Sequence, residues 1–297
     1  MSVNLPDHYV LSFTTNITTL LQIKGSKLRP YVTEGHYTGE KAAVVDQVGS
    51  VEMQEVTGRF EPKTRTDAAV DRRWVSPSDF DITQSIDSFD KLRLLTDPES
   101  TYVQNAVMAA GRKIDRLIIS AFQGTALTGK QGGTSTVFTA ANEVDVAIGG
   151  ANSRLNVDKL LDVREKMGAN HVDFDTDEVF CGLTAKDESE LLRQIQITSN
   201  QFNGNSFVLK EGRVDRFLGI GFVRCEAIEA GAAGTNEVNV PVWVKRGMHL
   251  GMWNDISTSI YKNMQLKGEP WESYVFMTAG ATRTEENLVY NIESYRA

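Results

Sequence analysis

The stretch from Asp97 to Gly124, D-P-E-S-T-Y-V-Q-N-A-V-M-A-A-G-R-K-I-D-R-L-I-I-S-A-F-Q-G, reads as one long helix in a chain otherwise written in strands, turns and loops. Asp97 can cap the first turn, Pro98 suits the first helical position because its missing N–H would lack a partner there, and Gly124 offers a left-handed stop. Between them Val103, Val107, Ala110, Ile114, Leu117 and Ala121 recur at steps of four and three, which is the spacing of a single apolar stripe. At about 1.5 Å per residue the rod is about 37 Å long. A rod of that length with one apolar side can serve as the backbone of a flat molecule.

At 297 residues the chain exceeds a typical single core, and a hydrophobic content of 41% is enough to fill two lobes. No run of about 18 uncharged apolar residues exists, and the start M-S-V-N-L-P-D-H has neither a basic segment nor an apolar one, so neither a membrane span nor a signal peptide is expected. The expected setting is a cytosol. Cys181 and Cys225 lie far apart in strand-like runs, E-V-F-C-G-L and G-F-V-R-C-E, and read as buried free thiols. A net charge of −8 and a pI near 5.2 argue against a dedicated nucleic-acid binder, which needs a basic face to displace counterions from phosphate.

Local patterning changes several times along the chain. Residues 1–40 mix Thr, Asn and short apolar groups, with a short helix expected near 12–24, and cannot form a core alone. Val44, Asp46, Val48 and then Val51, Met53, Glu55 alternate, and the polar, basic run G-R-F-E-P-K-T-R-T-D-A-A-V-D-R-R-W follows them. Such a ribbon reads as an exposed hairpin. After the long helix, 129–136 and 148–152 are Gly-rich joints. N-V-D-K-L-L-D-V-R-E-K-M-G (156–168) is then a helix capped by Asn156, facing inward through Val157, Leu160, Leu161 and Met167, and stopped by Gly168. Strand and helix alternate between 137 and 252, with a flexible excursion at 229–236, and strands return from 253 onward.

Signals for catalysis are weak. Gly124 to Lys130 satisfies G-x-x-x-x-G-K, but a phosphate-cradling loop follows a strand, opens a helix and carries a hydroxyl next. Here the run closes a helix, Gln131 replaces the hydroxyl, and two more glycines follow, so a turn is the expectation. Asp173, Asp175 and Asp177 alternate as calcium ligands can, yet Glu178 and Thr184 stand where the calcium loop needs glycine and glutamate. His8, His36, His171 and His249 are scattered with no zinc-binding spacing, and no G-x-S-x-G elbow occurs. No catalytic, cofactor-binding or metal-binding residue is assigned. Trp74, Trp243, Trp253 and Trp271 are assigned to packing, with Trp243 in a core strand.

The long helix also carries a family resemblance. Arg112, Asp115, Ile118, Ile119, Ala121 and Gly124, after Ala109 or Ala110, are similar to the A-x-x-x-R-x-x-D-x-x-I-I-x-A-x-x-G of the spine helix of tailed-bacteriophage major capsid proteins. Residues 71–90 resemble the strand leading from the extended loop of those proteins to the helix, 191–226 their helix, variable loop and strand, and 255–283 their closing strands. The resemblance implies an α+β fold with an N-terminal arm (1–40), an extended β-hairpin loop (41–80) and a peripheral domain (81–136) carrying the spine helix 98–123. It further implies an axial, or central, domain (137–252) and closing strands (253–297) that return to the peripheral domain.

It likewise implies a structural coat subunit, not an enzyme, that self-assembles into hexamers and pentamers of an icosahedral shell in the virion. Such shells form in the host cytoplasm and enclose double-stranded DNA without sequence-specific binding, for which an acidic balance is suitable. The implied partners are other copies of the chain, a scaffolding protein, a portal protein and, in some members, a decoration protein. Because the chain starts almost at the arm with Met1, a separate scaffold is expected. Some members cross-link a loop lysine to an asparagine; Lys63 is the only lysine between 42 and 90, and non-covalent clamping is the expectation. The alternatives are a P-loop-like nucleotide enzyme resting on Lys130 and a phage tail or adhesin component.

Inter-subunit contact candidates are Arg59, Lys63, Arg65, Arg72 and Arg73 in the hairpin, whose composition is too charged for the subunit's own core and whose natural partners are a neighbour's carboxylates. Arg112 and Asp115, three apart on the long helix, read as a surface pair that can also meet a neighbour.

Overall fold

The computed structural model describes residues 25–55, 58, 63, 65–86, 99–148, 152–194, 197, 209–210, 213–228, 236–267 and 269–296. Asp97, Pro98, Arg59 and the helix expected near 12–24 lie outside the described residues. In chain order come β1 (Thr33–His36), β2 (Ala42–Val48), β3 (Val70–Val75), β4 (Ser78–Ile86), α1 (Glu99–Gln123), β5 (Ala126–Thr128), β6 (Thr134–Thr136) and β7 (Glu143–Val144). Then follow α2 (Val157–Ala169), β8 (Val179–Leu183), α3 (Ala185–Leu192), β9 (Leu209–Lys210), β10 (Arg213–Val214), β11 (Arg216–Phe217) and β12 (Ile220–Arg224). The chain closes with β13 (Glu237–Val244), β14 (Met248–Lys262), β15 (Trp271–Arg283) and β16 (Val289–Tyr295).

Two main sheets organise the molecule. In the first, with order β1-β14-β15-β4, the long β14–β15 hairpin is flanked by β4 on one edge and by β1, the one parallel strand, on the other. The spine helix α1 lies on it. Ala110, Ile114, Ile118 and Phe122 are buried with Met248, Leu250, Met252, Met277 and Ala279. The buried line therefore steps strictly by four from Ala106, while Val103, Val107, Leu117 and Ala121 of the expected stripe are only half-buried. A row at steps of four is inclined to the helix axis, so α1 crosses the strands obliquely and the contact line drifts off the straight stripe. Burying each large side chain on that line is worth about 1.5–3 kcal/mol.

The second sheet has order β11-β12-β8-β13-β16-β7 and holds a separate core with α2 and α3. Asn156 caps α2, its side chain accepting from Lys159 N at 2.9 Å. The inward face is Val157, Leu160, Val163 and Met167; Leu161 is exposed, because it falls one residue past Leu160 and so about 100° round the helix. The helix ends at Ala169, one residue past Gly168, and the left-handed residue after it is His171, φ 63°. Thr184 and Asp187 close a reciprocal capping box on α3. The last strand departs from the sequence grouping: β16 pairs along its length with β13 in the six-stranded sheet, apart from β14 and β15.

A buried cation pins this second unit. The Lys159 side chain is fully buried and its ammonium donates to the carbonyls of Val146 (3.1 Å), Ser153 (2.7 Å) and Glu293 (2.6 Å). It ties the chain entering α2 to β16, while burial lowers its pKa to about 8 against the pull of Asp145 and Glu293.

Candidate functional site

The extended hairpin is the feature most exposed to other molecules. β2 and β3 pair antiparallel from Ala42↔Val75 to Val48↔Val70, with a register shift between Ala43 and Val45. At its root β3 continues into a small sheet with β5 and β6. Trp74 is seated there by the glycine turn after α1: its indole Nε1 donates to Gly129 O at 2.7 Å, and a Cβ on Gly132 (φ +68°) would come within 3.0 Å of the ring. Gly129, within the Gly124–Lys130 run, and Gly132, just past it, thus serve the hairpin root. That run passes through β5, and Lys130 is exposed in the β5–β6 turn with no helix after it. Lys130→Ala is expected to leave the melting temperature and particle yield unchanged, as differential scanning calorimetry and sedimentation would report; ATP binding abolished by the substitution would refute the assignment.

Past Gln47, whose side-chain amide donates to Thr284 O, the hairpin's apolar side chains lie uncovered. Val48, Val51, Met53 and Val70 are exposed, and Met53 is fully so. Four apolar side chains in one projecting ribbon leave a surface that gains by being covered.

The cations proposed for the same ribbon separate into two kinds. Lys63 is exposed, and Arg65 pairs with Asp67 of its own chain at 3.0 Å. Arg72 pairs across the hairpin with Asp46, Nη2 to Oδ2 at 3.0 Å, and stands 5.8 Å over the Trp74 ring. That bond lowers the Asp46 pKa and raises that of Arg72. Arg73 differs most from expectation, because it is buried and its guanidinium lies 3.2 Å from Glu286. Alternation along β3 turns Arg73 to the opposite side from Arg72, toward the body. Carboxylate partners for Arg65, Arg72 and Arg73 therefore exist within the subunit, contrary to the expectation that a neighbour must supply them.

Glu286 also receives Arg283, a fully buried side chain whose Nε and Nη2 lie 3.1 and 3.3 Å from its carboxylate. The remaining nitrogen, Nη1, donates to Ala121 O (3.2 Å), Phe122 O (3.0 Å) and Gly124 O. One guanidinium thus caps the C-terminal end of the spine helix, where orphan carbonyls and the negative end of the dipole favour a cation. Hairpin root, helix end and the β15–β16 connection meet at this Arg73–Glu286–Arg283 cluster.

Asp115 also departs from expectation. It is fully buried, not a surface partner of Arg112, and its carboxylate accepts from Ser26 Oγ (2.6 Å), Lys27 N (2.9 Å) and Leu28 N (3.0 Å). Gly111, one turn before it, lets the arm pass against the helix, since a Cβ there would meet Gly25 C at 2.4 Å. Arg112 faces the other side, in a cleft of about 420 Å³ shared with Lys113, Arg116, Phe80, Asp79 and Asp81. Arg112 is half-buried at this cleft, whereas Asp115 is closed off inside the subunit.

The other candidates from sequence serve structure. Asp173 closes a local turn through Asp175 N and Thr176 Oγ1, and Asp177 pairs with Arg246. Both cysteines are buried free thiols, their pKa values raised by burial, that of Cys225 to about 11. Trp243 is fully buried in β13.

A family model described as phage capsid protein matches residues 5–295. Among solved structures, the capsid of cyanophage P-SCSP1u is similar at a TM-score of 0.74 and 14% identity, covering 100% of this chain and 95% of that one. The cyanophage Pam1 capsid is similar at 0.74 and 12% identity, with 100% and 99% covered. A structure from Mycobacterium phage Che8 is similar at a TM-score of 0.71 and 10% identity, with 96% and 97% covered. No curated protein matches the chain.

Proposed function

The chain belongs to the phage capsid protein family, and on that premise we propose that it is the major coat subunit of a tailed phage, closing into hexamers and pentamers of an icosahedral shell. The observation that carries the mode of assembly is the hairpin whose apolar residues, Val48, Val51, Met53 and Val70, have no cover within the subunit's described residues. A heterologous contact, hairpin of one copy on the body of the next, closes a ring when the rotation between copies divides a full turn. Covering Val51 and Met53 gains about 1.5–3 kcal/mol each, small for one contact and large when repeated around every ring.

In this reading the role is structural and no step is catalytic. A scaffolding protein guides closure, a portal protein occupies one vertex, a decoration protein binds outside where present, and double-stranded DNA fills an acidic shell that does not hold it tightly. Arg112, Lys63 and Arg65 stand at the inter-subunit seams, as does Arg59, with Arg72 contributing once its hairpin is covered.

Val51→Asp with Met53→Asp tests the hairpin. The double variant is expected to fold as the parent does by circular dichroism and melting, and to remain as small species in sedimentation when co-expressed with the scaffold, while the parent forms closed shells. Shells from the variant in parental yield across a range of salt would remove the hairpin from the seam. A parent that never exceeds small oligomers with scaffold present would remove the shell.

A further inference from the structure

Residues 25–39 form a strap that side chains of the body grip at several points. Asp115 clamps residues 26–28, as described above. Trp243 Nε1 donates to Tyr31 O at 2.9 Å, and Trp253 Nε1 donates to Gly39 O at 2.7 Å. Between those two lies His249, whose Nδ1 is 2.9 Å from Thr33 Oγ1 and whose Nε2 is 2.9 Å from Tyr37 OH. The imidazole therefore bridges both ends of β1, and Gly35 lies beneath the bridge: a Cβ there would come 2.8 Å from Tyr37 OH and 3.0 Å from His249 Nε2.

The tautomer follows from the partners. Thr33 Oγ1 is also 2.7 Å from Met248 O, which only accepts, so the hydroxyl hydrogen goes there. Nδ1 must then carry the ring proton and donate to Thr33, and Nε2 accepts from Tyr37. A second proton can enter only at Nε2, where the phenol must turn its own hydrogen away and accept, and it places a charge in a buried site. Charge compensation there is poor. From β1 the nearest carboxylate is Glu34, which already holds Arg29 at 3.0 Å and lies 3.9 Å from exposed His36; Asp255 of β14 also pairs with Arg29. Across β15 the residue opposite His249 is neutral Thr282, Arg283 beside it binds Glu286, and Arg246 before β14 binds Asp177. Tyr37, from the strap itself, is a half-buried phenol whose pKa burial raises, so it stays neutral.

We propose that His249 is an acid-operated catch for residues 33–39, releasing β1 from the sheet edge on protonation while Asp115 keeps its hold on residues 26–28. β1 is a four-residue edge strand with a single partner, so its release breaks one ladder and leaves the rest of the sheet intact. The freed residues connect the Asp115 clamp to the first strand of the projecting hairpin, so the catch fixes the angle at which the hairpin leaves the body. The device stands on the geometry of this one chain and does not depend on shell assembly.

Burial holds the docked imidazole at about 4, below the ordinary value of 6.5. The released state therefore binds the proton more readily, and docking is undisturbed above pH 6.5, weakens as pH falls, and stops weakening below about 4. By pH 5 the ratio of released to docked chain rises about 20-fold over its value at pH 7.

Hydrogen–deuterium exchange of the full chain, corrected for the intrinsic pH dependence of exchange, tests this. Protection across 33–37 is expected to fall about 20-fold between pH 7 and pH 5, with 26–28 and β8 unchanged, and to become flat with pH in His249→Gln. The catch is refuted if the parent shows no fall, if 26–28 and β8 fall equally, or if His249→Gln falls as the parent does. Should His249→Gln fail to fold, Tyr37→Phe retains the imidazole without its Nε2 donor, so the docked pKa moves back toward 6.5 and the fall between pH 7 and pH 5 is expected to shrink; a fall as large as the parent's refutes the proposal equally.

Discussion

Asp115→Ala is expected to destabilise the subunit by about 3–5 kcal/mol, a fall in melting temperature of about 5–8 °C for a chain of this size. The carboxylate is fully buried and meets one hydroxyl and two backbone N–H groups of the arm. Removing it leaves the amides of Lys27 and Leu28 facing a cavity without acceptors, each at a cost of about 1–3 kcal/mol. Leu28, a fully buried core residue, sits directly on that clamp, so its packing loosens as well. Asp115→Asn retains one acceptor oxygen but turns an NH₂ toward amide donors, and is expected to lose about half as much. The check is urea denaturation of both variants, with exchange across 25–32 read alongside. An alanine variant within 1 kcal/mol of the parent would show that the arm is held by its apolar contacts alone.

That side chain marks where sequence reading stops. The spine helix is legible because its determinants are local, an apolar stripe along one side and a glycine at its end, although Gly124 ends it without the left-handed turn expected of it. The hairpin is legible for the same reason, since alternation and charge lie within one ribbon. Asp115 is not, because its partners lie 87 to 89 residues away and an acid three residues from an arginine looks like a surface pair. Lys159 shares that fate: nothing within α2 announces three carbonyls arriving from Val146, Ser153 and Glu293.

Arg73 had a usable signal. Arg72 and Arg73 must point to opposite faces of β3, so one of the two was bound to turn toward the body, and the neighbouring Trp74 and Val75 show that the root is where β3 becomes buried. The misplacement of Leu161 for Val163 is a phase error of the same kind, in which residue type outweighed angular position. His249 gave no local signal at all; its strap partners stand 212 and 216 residues away, and its neutrality follows from burial that only the folded chain creates.

Arg283→Met is expected to cost about 3–5 kcal/mol and to abolish assembly, more than any surface substitution in the hairpin. The guanidinium joins three carbonyls at the end of α1 to the Glu286 carboxylate, and Arg73 reaches that same carboxylate from the hairpin root. Methionine fills comparable volume but leaves the carbonyls of Ala121, Phe122 and Gly124 without this donor and Glu286 with Arg73 alone. The spine helix then frays from its C-terminal end, and the hairpin root loses the anchor that sets its direction. Arg283→Lys separates charge from shape: one ammonium on a flexible stem cannot present donors to the helix carbonyls and, in the opposite direction, a fork to the carboxylate. It is expected to recover less than half of the loss. Urea unfolding gives the stability, and sedimentation in the presence of scaffold gives the assembly. A lysine variant within 0.5 kcal/mol of the parent would mean that charge alone suffices at the junction, and that the planar fork does not couple helix end to hairpin root.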